Sequence, residues 1–299
     1  MAMLALAHST MPDRITAATV DHGLRPETQA EARAVADWCR AYEVAHAVLP
    51  VTTPAPASGR QAWARAHRYD LLARYASHVG ASAILTAHQA DDQAETFLMR
   101  ANRGVGLAGL RGIPARGEHI GAHDKHRVAI LRPLLGWRRA ELARVADAFG
   151  MPVAHDPSND DPRYERVKMR RLLAATEALD AAQLARTAAH LAQADAEMDA
   201  MRVWLWDDRR LAPTGVADPD RHIWLAIADL PRDLRRRLCR EAIRRVRAAD
   251  GTMPDFDLAT NIEPLLDAVE RGRAATQAGV LVTPKGTVWR FAAAPPRRG

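Results

Sequence analysis

The feature that most restricts this chain is an alternation of strand-like and helix-like segments through its first half. Residues 14–20 (RITAATV) are β-branched and read as a strand. Residues 27–42 have helical spacing, with Ala30, Ala34, Val35 and Trp38 on one face. Residues 45–51 form a second strand and 60–79 a second amphipathic helix; 81–87 (ASAILTA) read as a buried strand, and a helix follows from about Asp91 to Asn102. Residues 128–131 are a further strand, and a helix over 138–149 ends at Gly150 and Pro152. This alternation predicts an α/β fold, a doubly wound parallel sheet covered by helices on both faces. A doubly wound sheet should open on a strand, because each crossover helix joins two strands. This chain opens on an apolar helix, residues 1–8. Either that helix is an N-terminal cap, or a strand and its loop belong ahead of it.

The second half changes character. Residues 169–212 are helical in pattern, rich in Ala and Leu. Residues 232–248 (RDLRRRLCREAIRRVRA) predict a very basic helix, and 257–271 another. Residues 279–283 and 287–291 alternate around Pro284-Lys285-Gly286, which suits a hairpin. The Ala/Pro/Arg tail beyond Phe291 has a disordered composition. The expected boundary lies near Arg171, with an α/β domain over 1–171 and a mostly helical domain over 172–299.

At 299 residues, with 48% hydrophobic and 26% charged residues, the composition is that of a soluble globular protein. No apolar run approaches the ~20 residues that span a bilayer. The apolar start is too short for a signal sequence, so the expected compartment is the cytoplasm. Cys39 and Cys239 have no spacing suited to zinc, an iron–sulfur cluster or a disulfide framework. A formal charge of +6, supplied mainly by arginine, permits a polyanionic partner through counterion release. A GC-rich genome enriches arginine as well, so composition alone does not decide.

The densest chemical cluster is His88-Gln89-Ala90-Asp91-Asp92-Gln93-Ala94-Glu95-Thr96. It sits where a strand ends and a helix begins, at the edge where open α/β sheets bind ligands. Asp92 and Glu95 are three apart and share a helix face. Two carboxylates held together suit an ammonium group or a metal ion. An acidic residue at a helix start is also an ordinary cap, but a cap does not require three carboxylates and a histidine. A second polar run, Asp21-His22-Gly23, ends the first strand and also makes a good turn.

Gly104-Val105-Gly106-Leu107-Ala108-Gly109 matches GxGxxG, with Asp124 where a ribose-binding acid would stand. The context is wrong for a dinucleotide, since these glycines follow a helix rather than a strand. A turn-rich acidic stretch at 156–161 precedes Arg163, Arg166 and Arg170. Arginines four apart share a face and suit a phosphate clamp. Arg65 and Arg68 could form another pair or an exposed face.

These pieces, in this order, resemble the tRNA(Ile)-lysidine synthases of the PP-loop (N-type ATP pyrophosphatase) superfamily, whose fold is adenine nucleotide alpha hydrolase-like. The matching stretches are VDHGLRPE (20–27), ARAHRY (64–69), TAHQADDQAETFLMRANRGVGLAGLRGI (86–113), RPLL (132–135) and DPSNDDPRYERVKMR (156–170). They cover nearly all of residues 15–170. Two departures stand out. Val167 replaces the asparagine usual between the family's two arginines. Nothing here matches the SGGxDS loop that cradles ATP phosphates after the family's first strand. That strand is central in the family's sheet, so without it both neighbours would lose a ladder partner. The expectation for these 299 residues alone is therefore no lysidine formation, and the DNA upstream of Met1 decides between a longer reading frame and an inactive tRNA-binding protein.

The resemblance implies ligation at cytidine 34 of tRNA(Ile) with a CAU anticodon. ATP, with Mg²⁺, would adenylate C2, and the amine of free L-lysine would displace AMP. It implies that Asp92 and Glu95 hold lysine's amino groups, that His88 and Asp91 shape the catalytic strand end, and that Arg65 and Arg166 stabilise phosphate charge. Asp21 and His22 would line the nucleotide pocket. The basic helix, through Arg235, Arg236, Arg240 and Arg244, is the candidate tRNA contact, against a plain solvated face. A homodimer is an allowed assembly. A related tRNA-thiolating enzyme is disfavoured by the lack of CxxC.

Overall fold

A computed structural model describes residues 1–23, 27–121, 126–151, 161, 163–212, 221–251, 256 and 260–295. The chain forms two compact units, 1–192 and 193–299. This division falls inside a helix, further along the chain than the boundary expected near Arg171.

The first unit runs α1 (Ala2–Thr10), β1 (Thr16–Asp21), α2 (Glu27–Ala41), β2 (Ala45–Pro50), α3 (Arg60–His78), β3 (Ala83–Leu85), α4 (Ala90–Asn102) and α5 (Leu107–Leu110). It continues through β4 (Arg116–Ile120), β5 (Arg127–Leu131), α6 (Arg139–Ala148), α7 (Glu165–Ala175) and into α8 (Ala181–Arg209). β1 pairs in parallel with β2, from Thr16 opposite Ala45 to Asp21 opposite Pro50. β3 pairs in parallel with β5, whose other edge carries β4 antiparallel. Among the described residues no ladder joins these two pieces. Ala5, Trp38, Cys39, Val44, Ala146 and Met151 bury one small core, and Ala73, Ala76, Ile84 and Val128 another.

The helical stretch expected over 169–212 is made of two helices, α7 and α8. The Asp180 carboxylate accepts the N–H groups of Ala182 and Gln183, an N-cap that starts α8 afresh. β4 is absent from the sequence reading because RGEHI is a polar edge strand with little apolar signal. Residues 24–26, 122–125, 152–160 and 162, which hold parts of two motifs (20–27 and 156–170) and Asp124, lie outside the described residues.

In the second unit, β6 (Arg210–Leu211), β7 (His222–Ala226), α9 (Arg232–Asp250), α10 (Glu263–Glu270), β8 (Ala275–Gln277), β9 (Val280–Lys285) and β10 (Val288–Ala293) follow the rest of α8. The expected hairpin, β9–β10, is the centre of an antiparallel sheet ordered β6-β7-β10-β9-β8. Its inner face, with Ile223, Leu225, Val282, Trp289 and Phe291, packs on Leu238, Ile243, Leu265 and Leu266 of α9 and α10 in the largest core of the chain. α10 begins at Glu263, later than expected, with a proline in its first turn, where a missing N–H costs nothing. The tail at 296–299 and residues 257–259 lie outside the described residues.

Candidate functional site

β3 is short and buried at its centre, and it delivers Thr86 and His88 to the start of α4. α4 starts at Ala90 because Gln89 and Asp92 form a capping box: the Asp92 carboxylate accepts the Gln89 N–H at 3.1 Å. The structure thus gives Asp92 the capping role that sequence had weighed against ligand binding. The start of α6 is docked against it. Ala90 N–H donates to the Trp137 carbonyl (2.9 Å), and Arg139 N–H donates to Asp91 (2.8 Å). Arg138 adds two longer contacts to the same carboxylate, each 3.4 Å. Asp91 therefore ties two helix N-termini together.

One turn on, Glu95 is 1% exposed. Burying an isolated carboxylate is expensive unless it is paired. Three arginines pair it: Arg170 Nε at 2.8 Å, Arg166 Nε at 3.2 Å and Arg139 Nη2 at 3.4 Å. Arg170 and Arg139 are hydrogen-bonded to Oε1; the Arg166 contact to Oε2 is close but poorly aligned, leaving that oxygen without a true hydrogen bond. Arg166 also reaches the Thr96 hydroxyl at 3.4 Å. Sequence had placed Glu95 against lysine and Arg166 against phosphate; the structure brings the two together. Arg138 and Arg139 were missed, since each lies in an unremarkable helix start far away in sequence. A cavity of about 380 Å³ lies beside the cluster, lined in part by Glu95, Arg139, Arg170, Leu173, Thr176 and Asp180.

His88 faces the other group of charges. Its Nδ1 lies 3.0 Å from the Thr86 hydroxyl. Burial pushes its pKa down to about 4; Asp92 opposes that shift, and the positive charges of Arg132, Arg65 and Arg166 reinforce it. At neutral pH the ring is uncharged, within the electrostatic reach of three cations and the Asp92 carboxylate. Arg132 is buried and anchored to the Pro114 carbonyl (2.8 Å), while Arg65 is exposed over the Tyr69 ring at 5.0 Å. Such an arrangement receives anionic oxygen well.

At the end of β1, Asp21 accepts the N–H of Gly23 at 2.9 Å, the turn foreseen as its structural alternative. His22 packs near Trp63, centroids 6.1 Å apart, and neither ring nitrogen has a hydrogen-bond partner. Burial lowers its pKa, and nearby Arg68 lowers it further.

The glycine run after α4 is a clamp. Gln93 is buried and holds Ile113 from both sides, accepting its N–H at 2.6 Å and donating to its carbonyl at 2.8 Å. Arg100 donates to the carbonyls of Gly109 (2.9 Å) and Gly112 (2.8 Å). A Cβ at Gly109 would sit 2.6 Å from Val105. Of the three motif glycines, Gly109 lets backbone approach the Val105 side chain and Gly104 takes a left-handed turn at φ +64°, local roles that need no nucleotide.

A PP-loop domain family model matches residues 1–177. Over 298 residues the chain is 41% identical to the tRNA(Ile)-lysidine synthase of Novosphingobium aromaticivorans, covering 100% of this chain and 86% of that one. It is 35% identical over 284 residues to that of Zymomonas mobilis subsp. mobilis, covering 95% and 82%. Among solved structures, the U34-tRNA thiolase NcsA from Methanococcus maripaludis, with its [4Fe-4S] cluster, superposes with a TM-score of 0.52 at 14% identity, over 66% of this chain and 68% of that one. That likeness concerns the fold.

Proposed function

The chain belongs to the tRNA(Ile)-lysidine synthase family of PP-loop proteins, and on that premise we propose that it is a ligase joining free L-lysine to C2 of cytidine 34 in tRNA(Ile) with a CAU anticodon. ATP drives the step. The C2 oxygen attacks the α-phosphorus of ATP and pyrophosphate leaves; the lysine ε-amine then attacks C2, AMP departs with that oxygen, and the amine loses a proton.

The observation that carries this reading is an uncharged His88, held by Thr86 and within the field of Arg65, Arg132 and Arg166, next to the buried Glu95 cluster that Arg166 joins. The arginines suit the negative charge that grows on the phosphate oxygens. His88, uncharged, is free to accept the amine proton, and bound phosphate would raise its basicity. Lysine has one carboxylate and two ammonium groups, and the cavity beside Glu95 presents both arginines and acids. Arg166 contacts Glu95 and acts on His88, so it links the lysine and phosphate sides. Asp21 and His22, at the end of β1, would border the nucleotide. Mg²⁺ would come with ATP and neutralise phosphate charge. No set of three acid, histidine or cysteine side chains forms an ion cage among the described residues, which fits an ion held through phosphate oxygens and water.

The test is ATP-dependent transfer of labelled lysine to a tRNA(Ile) transcript by the full-length gene product. Transfer is expected, with Arg166→Ala lowering kcat at least tenfold. Transfer at wild-type rate in that variant would remove Arg166 from the machinery.

A further inference from the structure

The cations of α9 and those of the outward sheet face differ in their partners. On α9 most face carboxylates, while Arg240 and Arg247 donate to the backbone carbonyls of Thr260 and Ala278. Arg232 pairs with Glu263 and Asp267, Arg236 with Asp233 and Glu263, and Arg237 with Asp233 and Asp195. Arg244 and Arg245 share Glu241, and Arg235 meets Glu270 at 3.3 Å. This side of the unit spends its positive charge internally.

The other face of the sheet is different. Directly opposed residues in an antiparallel ladder project to the same side. The registers place Leu211 beside Trp224, Trp224 beside Arg290, and Arg290 beside Thr283. Lys285 lies on the same side, opposite Val288, which is itself opposite Ala226. The alternate positions, Ile223, Leu225, Trp289, Phe291 and Val282, are the buried ones. No Asp or Glu occupies the outward set. The Arg290 guanidinium and the Lys285 ammonium both lie against the Trp224 ring, 5.4 and 5.5 Å from its centre. Among the described residues neither cation is paired with a carboxylate. Leu211 is 45% exposed, and Lys285 is exposed.

The geometry points to this outward sheet face as an RNA contact surface, with Lys285 and Arg290 taking backbone phosphates and Trp224 holding them in place. The inference rests on the reading that this protein acts on tRNA, and it moves the contact from α9 to the sheet. An aromatic side chain flanked by cations without a carboxylate partner, on strand positions that carry no acid among the described residues, complements a polyanion that carries flat bases. The cation–π contacts hold both heads over the Trp224 ring without cancelling their charge, and Arg290 also lies 3.4 Å from His222 Nδ1.

The test is equilibrium binding of the full-length protein to a tRNA(Ile) transcript across a salt series. Lys285→Glu combined with Arg290→Glu should weaken binding at least tenfold near 0.1 M salt and flatten the salt dependence by about one to two released ions. Lys285→Glu alone, at an exposed site, should give part of that loss with an unchanged melting temperature. Trp224→Phe should retain most affinity, and Trp224→Leu should not. Arg244→Ala on α9 should bind within about twofold of wild type. Wild-type affinity and salt slope in the double reversal, or a larger loss in Arg244→Ala, would overturn the inference while leaving the proposed reaction standing. Failure of the wild-type protein to bind any tRNA would overturn both.

Discussion

At the scale of single residues, the site is built from side chains that satisfy one another. Glu95 shows this most clearly, because its burial is possible only with Arg139, Arg166 and Arg170 around it. Removing the carboxylate would leave three guanidinium groups facing one another. Glu95→Ala should therefore lower unfolding stability by roughly 3 kcal/mol, the low end for a broken buried pair because the arginines are partly exposed. Denaturant titration measures this; an unchanged midpoint would show that the arginines have other partners. Asp92→Ala should cost only about 1 kcal/mol, the worth of a cap. His88 gives a pH signature. Its folded pKa, about 4, lies below its ordinary 6.5. Between those values the unfolded chain binds a proton that the folded chain resists, so stability should fall as pH drops from about 6.5 to about 4. His88→Asn should flatten that part of the profile; an identical slope in both proteins would contradict the assignment.

At the scale of elements, what could be read from sequence followed the strength of the periodic signal. α2, α3, α4, α6 and α9 stand within a few residues of their expected ends, because their apolar faces repeat over several turns. β1, β2 and the β9–β10 hairpin were legible for similar reasons. β3 spans only Ala83–Leu85 within a longer apolar run, since pairing with β5 covers just those residues. β7 (HIWLA) was overlooked although it alternates, and β8 is too short to carry a pattern. Motif residues were legible as a cluster, but their partners were not: Arg138 and Arg139 reach the site only through packing, and Arg132, although within RPLL, was given no role. The glycine clamp belongs at this scale too. Gly112 has φ +69° and a Cβ there would collide with the Gln93 side chain. Gly112→Ala should cost at least about 1–2 kcal/mol from backbone strain alone and loosen the turn after α4. Thermal denaturation tests this, and a melting temperature equal to wild type would show that the clamp is not tight.

At the scale of the molecule, the two units rest on different physics. The first is an α/β unit whose parallel strands lie in two separate ladders, β1–β2 and β3–β5, among the described residues. The second has one well-filled core and a dense ion-pair network along α9. In that network burial tends to raise the Glu241 pKa, but hydrogen bonds from Arg244 and Arg245 overcome it and hold it near 2. Arg236 and Arg232 hold Glu263 near 2 as well. Both are depressed carboxylates, so their contribution is present above about 4.5 and is lost as pH falls toward 2. Glu241→Gln should make acid unfolding less steep in that window; an unaltered acid limb would place the network's energy elsewhere. The activity itself is settled most directly by the product. Wild-type full-length protein, tRNA(Ile) with a CAU anticodon, ATP and lysine should yield a nucleoside at position 34 whose mass exceeds cytidine by one lysine less one water, with one AMP released per lysine joined. An unmodified cytidine 34 after complete reaction, or lysine attached at any other position, would contradict the account.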